Sequence, residues 1–221
     1  MGGLARSLKY ASFRAARVIG VCLLMAVGFV FYFALLDGSK FTVSNLLPRF
    51  PLMMLFIGNL MVMLYGMIDV ATYTQLTLTY GCTRKNAAIS TIYMHLLEIL
   101  AFEVVMAVSC ALIPAQWQVM EGKALCLLSL AIFLIGSGLA LVTGILIQRF
   151  GKAAYIVFVI FASLGGGVVG GLVGFHGGTT VVMDVVLGFL KLPVMLGAGI
   201  AWYALAAVIF WLFIRKIEVR V

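Results

Sequence analysis

The sequence predicts an all-α, polytopic membrane protein with six transmembrane helices. Hydrophobic residues make up 65% of the chain and charged residues 10%, and the mean hydropathy is +1.22. A soluble domain carries about 25% charged residues and could not bury this much apolar surface. The apolar residues form runs of about 20 or more, the length that spans a bilayer, and lysine and arginine are concentrated between the runs.

Six runs with few charges have the length of a membrane span. We predict helices at about 18–36, 51–80, 86–113, 124–148, 153–175 and 192–214. Residues 1–221 then form a single transmembrane domain, because little chain is left for a soluble lobe. The first run is longer than the apolar core of a signal peptide and no small-residue cleavage site follows it, so we expect it to be retained.

Basic and apolar residues alternate at helical spacing within residues 1–17. They are Arg6, Lys9, Arg14 and Arg17, interleaved with Leu4, Leu8, Tyr10 and Phe13. A basic amphipathic segment can lie along the lipid headgroups. We therefore predict a short interfacial elbow helix before the first span.

Positive charge is distributed unequally between the two sets of connections. Eleven lysines and arginines fall on one side, in the N-terminal arm, at Arg84 and Lys85, at Arg149 and Lys152, and at Arg215, Lys216 and Arg220. The other side holds four: Lys40, Arg49, Lys123 and Lys191. The positive-inside rule therefore places both termini in the cytoplasm of a multi-pass plasma-membrane protein. The formal net charge of +8 then faces anionic lipid rather than nucleic acid.

Residues 176–191 are too apolar for an ordinary loop and too short to span the bilayer. On the positive-inside topology they fall on the outer side, between the fifth and sixth helices. We predict a re-entrant or surface-lying segment there.

The second and third helices are predicted to be longer than a bilayer requires. Each runs for about 28 residues, or about 42 Å, against a hydrocarbon core of about 30 Å. Pro51 and Pro114 mark their outer ends, so the excess length lies on the cytoplasmic side. Such a hairpin is either a lever moved by a soluble partner or an ordinary helical hairpin with a basic stop, and spacing alone does not separate the two.

Four ionisable residues lie inside predicted spans, where charge is costly and commonly serves function. They are Asp69, His95, Glu98 and Glu103. Folding the hairpin about its tip places Asp69 level with His95, so we predict a pair that joins the two helices, and Glu98 shares the face of His95 at i, i+3. Glu103 lies deeper with no partner evident in the sequence, so it either faces a polar cavity or stays protonated.

Glycines recur in the predicted fifth helix at the spacing that lets two helices approach closely. They are Gly166, Gly167, Gly170, Gly171 and Gly174. This spacing indicates packing within one subunit, a dimer contact or a flexible gate, and the sequence favours none of them.

Two motifs that suggest enzymes fail on their spacing. Ser137 lies between glycines, as in intramembrane serine proteases, but Ile135 stands where a further glycine is needed and His176 lies outside the sixth helix. Gly151-Lys152 is not a phosphate-binding loop, because Leu146 replaces its first glycine. We therefore expect no catalytic residues, cofactor or metal in this chain, and no ATP hydrolysis by it alone.

The four cysteines form no CxxC pair and have no histidine at metal-ligand spacing. Cys110 and Cys126 flank the same predicted outer turn. We expect them to pack as small apolar residues rather than to form a disulfide.

Residues 76–86 read Leu-Thr-Leu-Thr-Tyr-Gly-Cys-Thr-Arg-Lys-Asn. This segment resembles the hydrophobic-Ser/Thr-aromatic-Gly-x-Thr-Arg-Lys segment that follows the second helix in small bacterial ABC-2 type transporters (type V ABC exporters). The predicted elbow, hairpin and outer re-entrant segment also resemble features of that family, so the resemblance extends over the whole chain. The resemblance implies a permease subunit that pairs with a second permease copy or a paralogue, and with separate ABC ATPase subunits that bind ATP and Mg.

By the same resemblance, the coupling helix that docks on the ATPase would contain Gly81, Thr83, Arg84, Lys85 and Asn86. Thr83 and Arg84 match the family pattern most directly, and the glycines of the fifth helix would lie near the dimer axis. The chain lacks the large external domain of some members. Its apolar walls suit an amphiphilic or hydrophobic substrate, such as a lipid, a peptide or a drug-like molecule.

Two other classes of function fit the composition. A membrane substrate-binding module of an energy-coupling uptake system would need a polar pocket toward the outside, and the outer thirds of these helices are almost wholly apolar. A membrane scaffold or immunity protein without transport activity would use the glycine-rich helix for assembly. Neither would require the basic hairpin tip.

Overall fold

The described part of the chain is helical. A computed structural model describes residues 3–36, 41–79, 82–114, 122–151, 153–160 and 192–215, and within these ranges there is no strand. The helices are α1 (Gly3–Leu36), α2 (Val43–Leu46), α3 (Phe50–Ile68), α4 (Thr74–Thr79), α5 (Arg84–Leu112), α6 (Gly122–Phe150) and α7 (Leu192–Ile214). A 3₁₀ turn, Leu47–Arg49, joins α2 to α3, and a π-helical segment, Asp69–Tyr73, joins α3 to α4. Residues 153–160 are also helical. The predicted all-α class is confirmed.

Several helices have the length and composition of membrane spans. Within the described ranges these are Leu4–Leu36, Val43–Tyr73, Arg84–Leu112, Gly122–Phe150 and Leu192–Ile214. Large apolar side chains face outward, such as Leu24 and Phe56, which are 76% and 67% exposed. Apolar surface on this scale indicates contact with lipid. The chain is therefore an all-helical, multi-pass membrane protein.

Two predicted features fall largely outside the described residues. Residues 153–160 begin the predicted fifth helix, and the remainder, with Gly166, Gly167, Gly170, Gly171 and Gly174, is not described. The predicted re-entrant segment at 176–191 also lies outside. Both remain predictions.

Helix α1 runs without interruption from Gly3 to Leu36, so the predicted elbow at 1–17 and the predicted span at 18–36 belong to one helix. Small buried residues recur along it at intervals of three or four: Ser7, Ala11, Ala15, Val18, Cys22, Ala26, Val30 and Ala34. This spacing places them on one face of the helix. Because that face already begins within the basic segment, the segment packs on the bundle, where Ala11 and Ala15 cluster with Met94 of α5.

Prolines stand at helix ends. Pro51 lies in the first turn of α3 and Pro193 in that of α7, while Pro114 follows α5. Proline fits these positions because it lacks only an N–H that would have no partner within the helix. At the start of α5, Thr83 is the N-cap, and its Oγ1 accepts a hydrogen bond from the Asn86 backbone N–H at 3.2 Å.

Helix α6 lies at the centre of the described bundle and contacts α3, α5 and α7. Its buried face is rich in small residues: Gly136, Ser137, Gly138, Ala140 and Gly144. A Cβ atom at Gly144 would lie 2.4 Å from Val70 Cβ and 3.0 Å from the Met67 carbonyl oxygen. Small residues on α6 therefore allow the neighbouring helices to approach closely.

An aromatic pair fills the space between α5, α6 and α3. Phe102 and Phe133 are fully buried and stack with ring centroids 5.1 Å apart and planes at 16°. Gly58 of α3 lies against the pair, because a Cβ there would be 3.1 Å from the Phe133 ring. The stacked rings thus set the distance between the three helices.

We expect Gly144→Ala to lower the free energy of unfolding by about 1–3 kcal/mol, because the added methyl overlaps Val70 and the Met67 carbonyl. Gly28→Ala on α1 is the matched control, since nothing lies within 4 Å of a Cβ there. Alanine is the better helix former, so the control should be neutral or stabilising. Unfolding in a mixed detergent, followed by circular dichroism, measures both. Equal effects of the two substitutions would contradict a close approach at Gly144.

Candidate functional site

An ion pair joins α1 to the π-helical segment. Arg14 Nη2 donates to Asp69 Oδ1, and the two side chains are 14% and 3% exposed. The Arg14 guanidinium also lies over the Tyr73 ring, 3.4 Å from its centroid, in a cation–π contact. A π-helical turn shifts the side chains that follow it relative to an α-helix, and such turns are frequent at functional sites.

The predicted partner of Asp69 was His95, and this prediction is wrong. Asp69 bonds to Arg14, because the basic segment of α1 packs against the hairpin. A guanidinium is permanently charged and presents several donors to a carboxylate, so it is the stronger partner. The sequence carried one signal for this contact: Arg14 follows Ala11 by three residues and precedes Val18 by four, which places it on the small, buried face of α1.

His95 lies where α3, α5 and α6 meet, and it is fully buried. Its Nδ1 is 3.0 Å from Ser137 Oγ on α6 and 3.9 Å from Glu98 Oε2. Gly66 of α3 provides space for the ring, because a Cβ there would lie 2.4 Å from His95 Cε1. His95 therefore connects α5 to α6 through Ser137.

Glu98 is fully buried beside His95, and the predicted shared face of the two residues is confirmed. Neither carboxyl oxygen of Glu98 has a hydrogen-bond partner among the described residues, and neither does His95 Nε2. Asp69 and Arg14 lie within electrostatic reach of Glu98. We refer to Arg14, Asp69, His95, Glu98 and Ser137 together as the polar cluster. All of them are buried except Arg14, whose side chain is 14% exposed.

Ser137, His95 and Glu98 do not form a catalytic triad. In a triad, the serine and the acid contact opposite nitrogens of the imidazole. Here both lie on the Nδ1 side, at 3.0 and 3.9 Å, and all three side chains are fully buried. The cluster therefore presents no activated, accessible nucleophile.

Glu103 has a partner on α6. Its Oε1 accepts a hydrogen bond from Ser129 Oγ at 2.7 Å. No partner for Glu103 is evident in the sequence, because Ser129 is 26 residues away in the chain. The serines of α6 were an available signal for this contact. Ser129 and Ser137 carry hydroxyl groups on a strongly apolar helix, where they need hydrogen-bond partners.

The tip of the hairpin combines exposed basic residues with a contact to α7. Thr83, Arg84 and Lys85 are exposed and Asn86 is half-buried. Arg84 Nη1 donates to the Arg215 carbonyl oxygen at 2.8 Å, which holds the tip beside the end of α7. The fifth predicted coupling residue, Gly81, lies outside the described residues.

An apolar cavity of about 640 Å³ lies between α3, α6 and the helical residues 153–158. Its wall consists of Met63, Leu139, Thr143, Leu146, Phe150, Ala153, Ala154, Val157 and Phe158. The hydroxyl of Thr143 is engaged within its own helix, where it donates to the Leu139 carbonyl oxygen at 2.6 Å. The cavity therefore offers an apolar surface to a ligand.

Two further predictions concern the cysteines and metal binding. Cys110 and Cys126 are not joined by a disulfide bond. In the ranges that the structure describes, no three or more His, Cys, Asp or Glu side chains are grouped so that they could hold a metal ion.

No family model, curated protein or solved structure matches the chain. The function is therefore inferred from the geometry of the chain itself, and from the resemblance at its hairpin tip.

We expect Arg14→Met to lower the free energy of unfolding by about 3–5 kcal/mol, because it leaves the buried Asp69 carboxylate without its cation. Arg17→Met is the matched control: it removes the same charge from the exposed side of α1 and should change stability little. Detergent-induced unfolding followed by circular dichroism compares the two.

The double variant Arg14→Met with Asp69→Asn provides a second control. It removes both charges and should regain part of the lost stability. If Arg14→Met and Arg17→Met were equally stable, the ion pair would not support the fold.

Proposed function

We propose that this chain is the membrane-spanning permease subunit of an ATP-driven exporter of the ABC-2 type. It works with a second permease copy or a paralogue, and a separate ABC ATPase subunit binds ATP and Mg and supplies the energy. The chain lies in the plasma membrane with both termini and the hairpin tip in the cytoplasm. The observation that carries the proposal is the long helical hairpin with the Thr-Arg-Lys tip.

The length of the hairpin supports a role outside the bilayer. Residues 50–79 run through α3, the π-helical segment and α4, and span about 45 Å, while the 29 residues of α5 span about 44 Å. The hydrocarbon core is about 30 Å thick. If the ends of α3 and α5 that are distant from the tip lie at one face of the hydrocarbon, the tip extends roughly 14 Å beyond the opposite face.

The chemistry of the tip supports docking of a soluble partner. Arg84 and Lys85 are exposed, and an acidic surface on an ATPase would complement them. The bond from Arg84 to the Arg215 carbonyl ties the tip to α7. A displacement of the tip would therefore be transmitted to α7 as well as along the hairpin itself.

The apolar cavity supports an amphiphilic or hydrophobic substrate. Its volume of about 640 Å³ lies within the roughly 300–1,000 Å³ of small-molecule sites. Its wall includes residues from 153–158, which begin the predicted fifth span. In the family that the chain resembles, the corresponding helix lines the transport pathway. A lipid chain, a hydrophobic peptide or a drug-like amphiphile fits such a wall better than a sugar or an ion.

We expect an ATPase to copurify with the wild-type protein from its native membrane, and much less of it with Arg84→Glu or Lys85→Glu. Each substitution reverses a charge at the proposed docking surface while the helices remain intact. Lys9→Glu is the matched control, because Lys9 is an exposed lysine of the basic N-terminal segment and lies outside the tip. Mass spectrometry of the purified complexes measures the ratio of ATPase to permease.

The two tip variants separate docking from the contact with α7, since Lys85→Glu leaves the bond between Arg84 and Arg215 in place. Loss of the ATPase from both variants, with retention in Lys9→Glu, supports the permease and the coupling role of the tip. If no ATPase accompanied the wild type in lipid nanodiscs, the permease proposal would fail. A tightly bound small molecule would then favour an uptake module, and the absence of any ligand a scaffold.

A further inference from the structure

Glu98 occupies an unusual position for an ionisable side chain. It is fully buried and lies at the midpoint of α5, about 21 Å from each end of the helix. Within the described residues, neither of its carboxyl oxygens has a hydrogen-bond partner. Ionisable groups in such positions are rare in membrane helices and commonly belong to ion or proton sites.

Titratable groups lie near Glu98 on several of the elements around it. Cys22 and Arg14 of α1, Asp69 of the π-helical segment and Tyr203 of α7 lie within electrostatic reach of Glu98. His95 of α5 lies closer, with its Nδ1 3.9 Å from Glu98 Oε2. From α6 the neighbouring group is the Ser137 hydroxyl, which is bonded to His95. Of these groups Arg14 is the permanent cation, and Asp69 already binds it. An ionised Glu98 would therefore stand near a second carboxylate without a cation of its own.

A protonated Glu98 removes this conflict. The neutral carboxyl group carries no charge into the bundle, whereas a buried carboxylate without a partner is strongly unfavourable. A metal or sodium ion is the weaker alternative, because such ions need several oxygen ligands. In the described ranges no three or more His, Cys, Asp or Glu side chains could hold one.

A small crevice reaches the polar cluster at Arg14 and Asp69. A polar crevice of about 30 Å³ is lined by Ser7, Tyr10, Arg14, Asp69, Thr77 and Ser90, among others. About 10–15 Å³ of such space is enough to hold one water molecule. Asp69 lines the crevice with its Oδ1 on Arg14, and its buried Oδ2 has no partner among the described residues. Met94 of α5 also lines this crevice and precedes Glu98 by one helical turn, and Asp69 lies within electrostatic reach of Glu98.

We propose that Glu98 is an intramembrane proton-binding site, which exchanges one proton with water through Asp69 and the polar crevice. The O–H bond of the Glu98 carboxyl group breaks on release, the proton passes to water, and the carboxylate remains. Uptake reverses these steps, and no electron or other reactant takes part. Release leaves a second negative charge beside Asp69, so the occupancy of Glu98 changes the repulsion between α5 and the π-helical segment. The site does not depend on the proposed function.

Infrared spectroscopy of the full chain in lipid nanodiscs tests the protonation. A protonated carboxyl group has a C=O stretch that is separate from those of the carboxylate and of the amide backbone. We expect the wild type to show this band at mildly acidic pH and to lose it as the pH rises. Glu98→Gln, which keeps the shape and neutrality of the protonated side chain, should remove the band. Glu103→Gln is the matched control on the same helix and should leave the Glu98 component unchanged.

Three outcomes of the infrared titration can be told apart. A titrating component that is absent from Glu98→Gln and present in Glu103→Gln supports the site. Wild-type and Glu98→Gln spectra that agree in the protonated-carboxyl C=O region at every pH would overturn it, since Glu98 would then be a carboxylate throughout. A Glu98 band that does not change with pH would also overturn it, because the proton would be fixed rather than exchanged.

A second measurement remains decisive if Glu98→Gln does not fold. The chain has four glutamates, Glu98, Glu103, Glu121 and Glu218, so changing the other three to glutamine leaves Glu98 as the single glutamate. Its ¹³C-labelled carboxyl signal in magic-angle-spinning NMR should move between the protonated and the ionised positions as pH rises. A signal fixed at either position contradicts the proposal.

The route is tested by the rate at which the Glu98 carboxyl proton exchanges for deuterium. Asp69→Asn should slow this exchange at least several-fold, because it removes the group that takes up and passes on the proton. Thr143→Val, in the wall of the apolar cavity and away from the polar crevice, is the control and should not slow it. An unchanged rate in Asp69→Asn would exclude Asp69 from the route.

Discussion

The close approach of α3 and α6 is the constraint on which the rest of the bundle depends. Gly66 and Gly144 allow the two backbones to come together, and a methyl group at either position would overlap a neighbouring side chain. Helix association in a bilayer gains little from the hydrophobic effect, because lipid is as apolar as the helix surface. Close van der Waals contact and hydrogen bonds between helices therefore hold the bundle together. The aromatic stack of Phe102 and Phe133 fills the space that remains beside this contact.

The same close approach creates the polar cluster. The space beside Gly66 receives the His95 ring, and α6 then presents Ser137 to its Nδ1. Farther along α5 and α6, Ser129 donates to Glu103 in a similar way. Hydroxyls on α6 thus serve as partners for ionisable residues on α5. Among the residues that the structure describes, Glu98 lies between these two contacts with no hydrogen-bond partner, so it stands apart from the residues that hold the helices together.

The hairpin and the polar cluster share one structural element. The π-helical segment Asp69–Tyr73 lies between the long first helix of the hairpin, α3, and α4, which leads to the hairpin tip. Arg14 fixes this segment to α1 through Asp69 and Tyr73, and Gln148 of α6 donates to the Val70 carbonyl oxygen. A force applied at the tip would therefore act on the residues that surround Glu98. The proposed cytoplasmic partner and the proposed proton site would therefore both act on the same segment.

The sequence by itself determined the helical membrane class, the positions of helix ends at proline, and three buried ionisable residues, Asp69, His95 and Glu98. These follow from composition, run length and residue type, which are local properties. It did not determine which side chains meet. Asp69 pairs with Arg14 across 55 residues and His95 with Ser137 across 42, and both contacts depend on how each helix is rotated about its axis. In a membrane protein the lipid-facing and the core-facing sides are both apolar, so hydrophobic periodicity does not reveal that rotation. Only the tertiary structure, through the close contacts at Gly66 and Gly144, decided it.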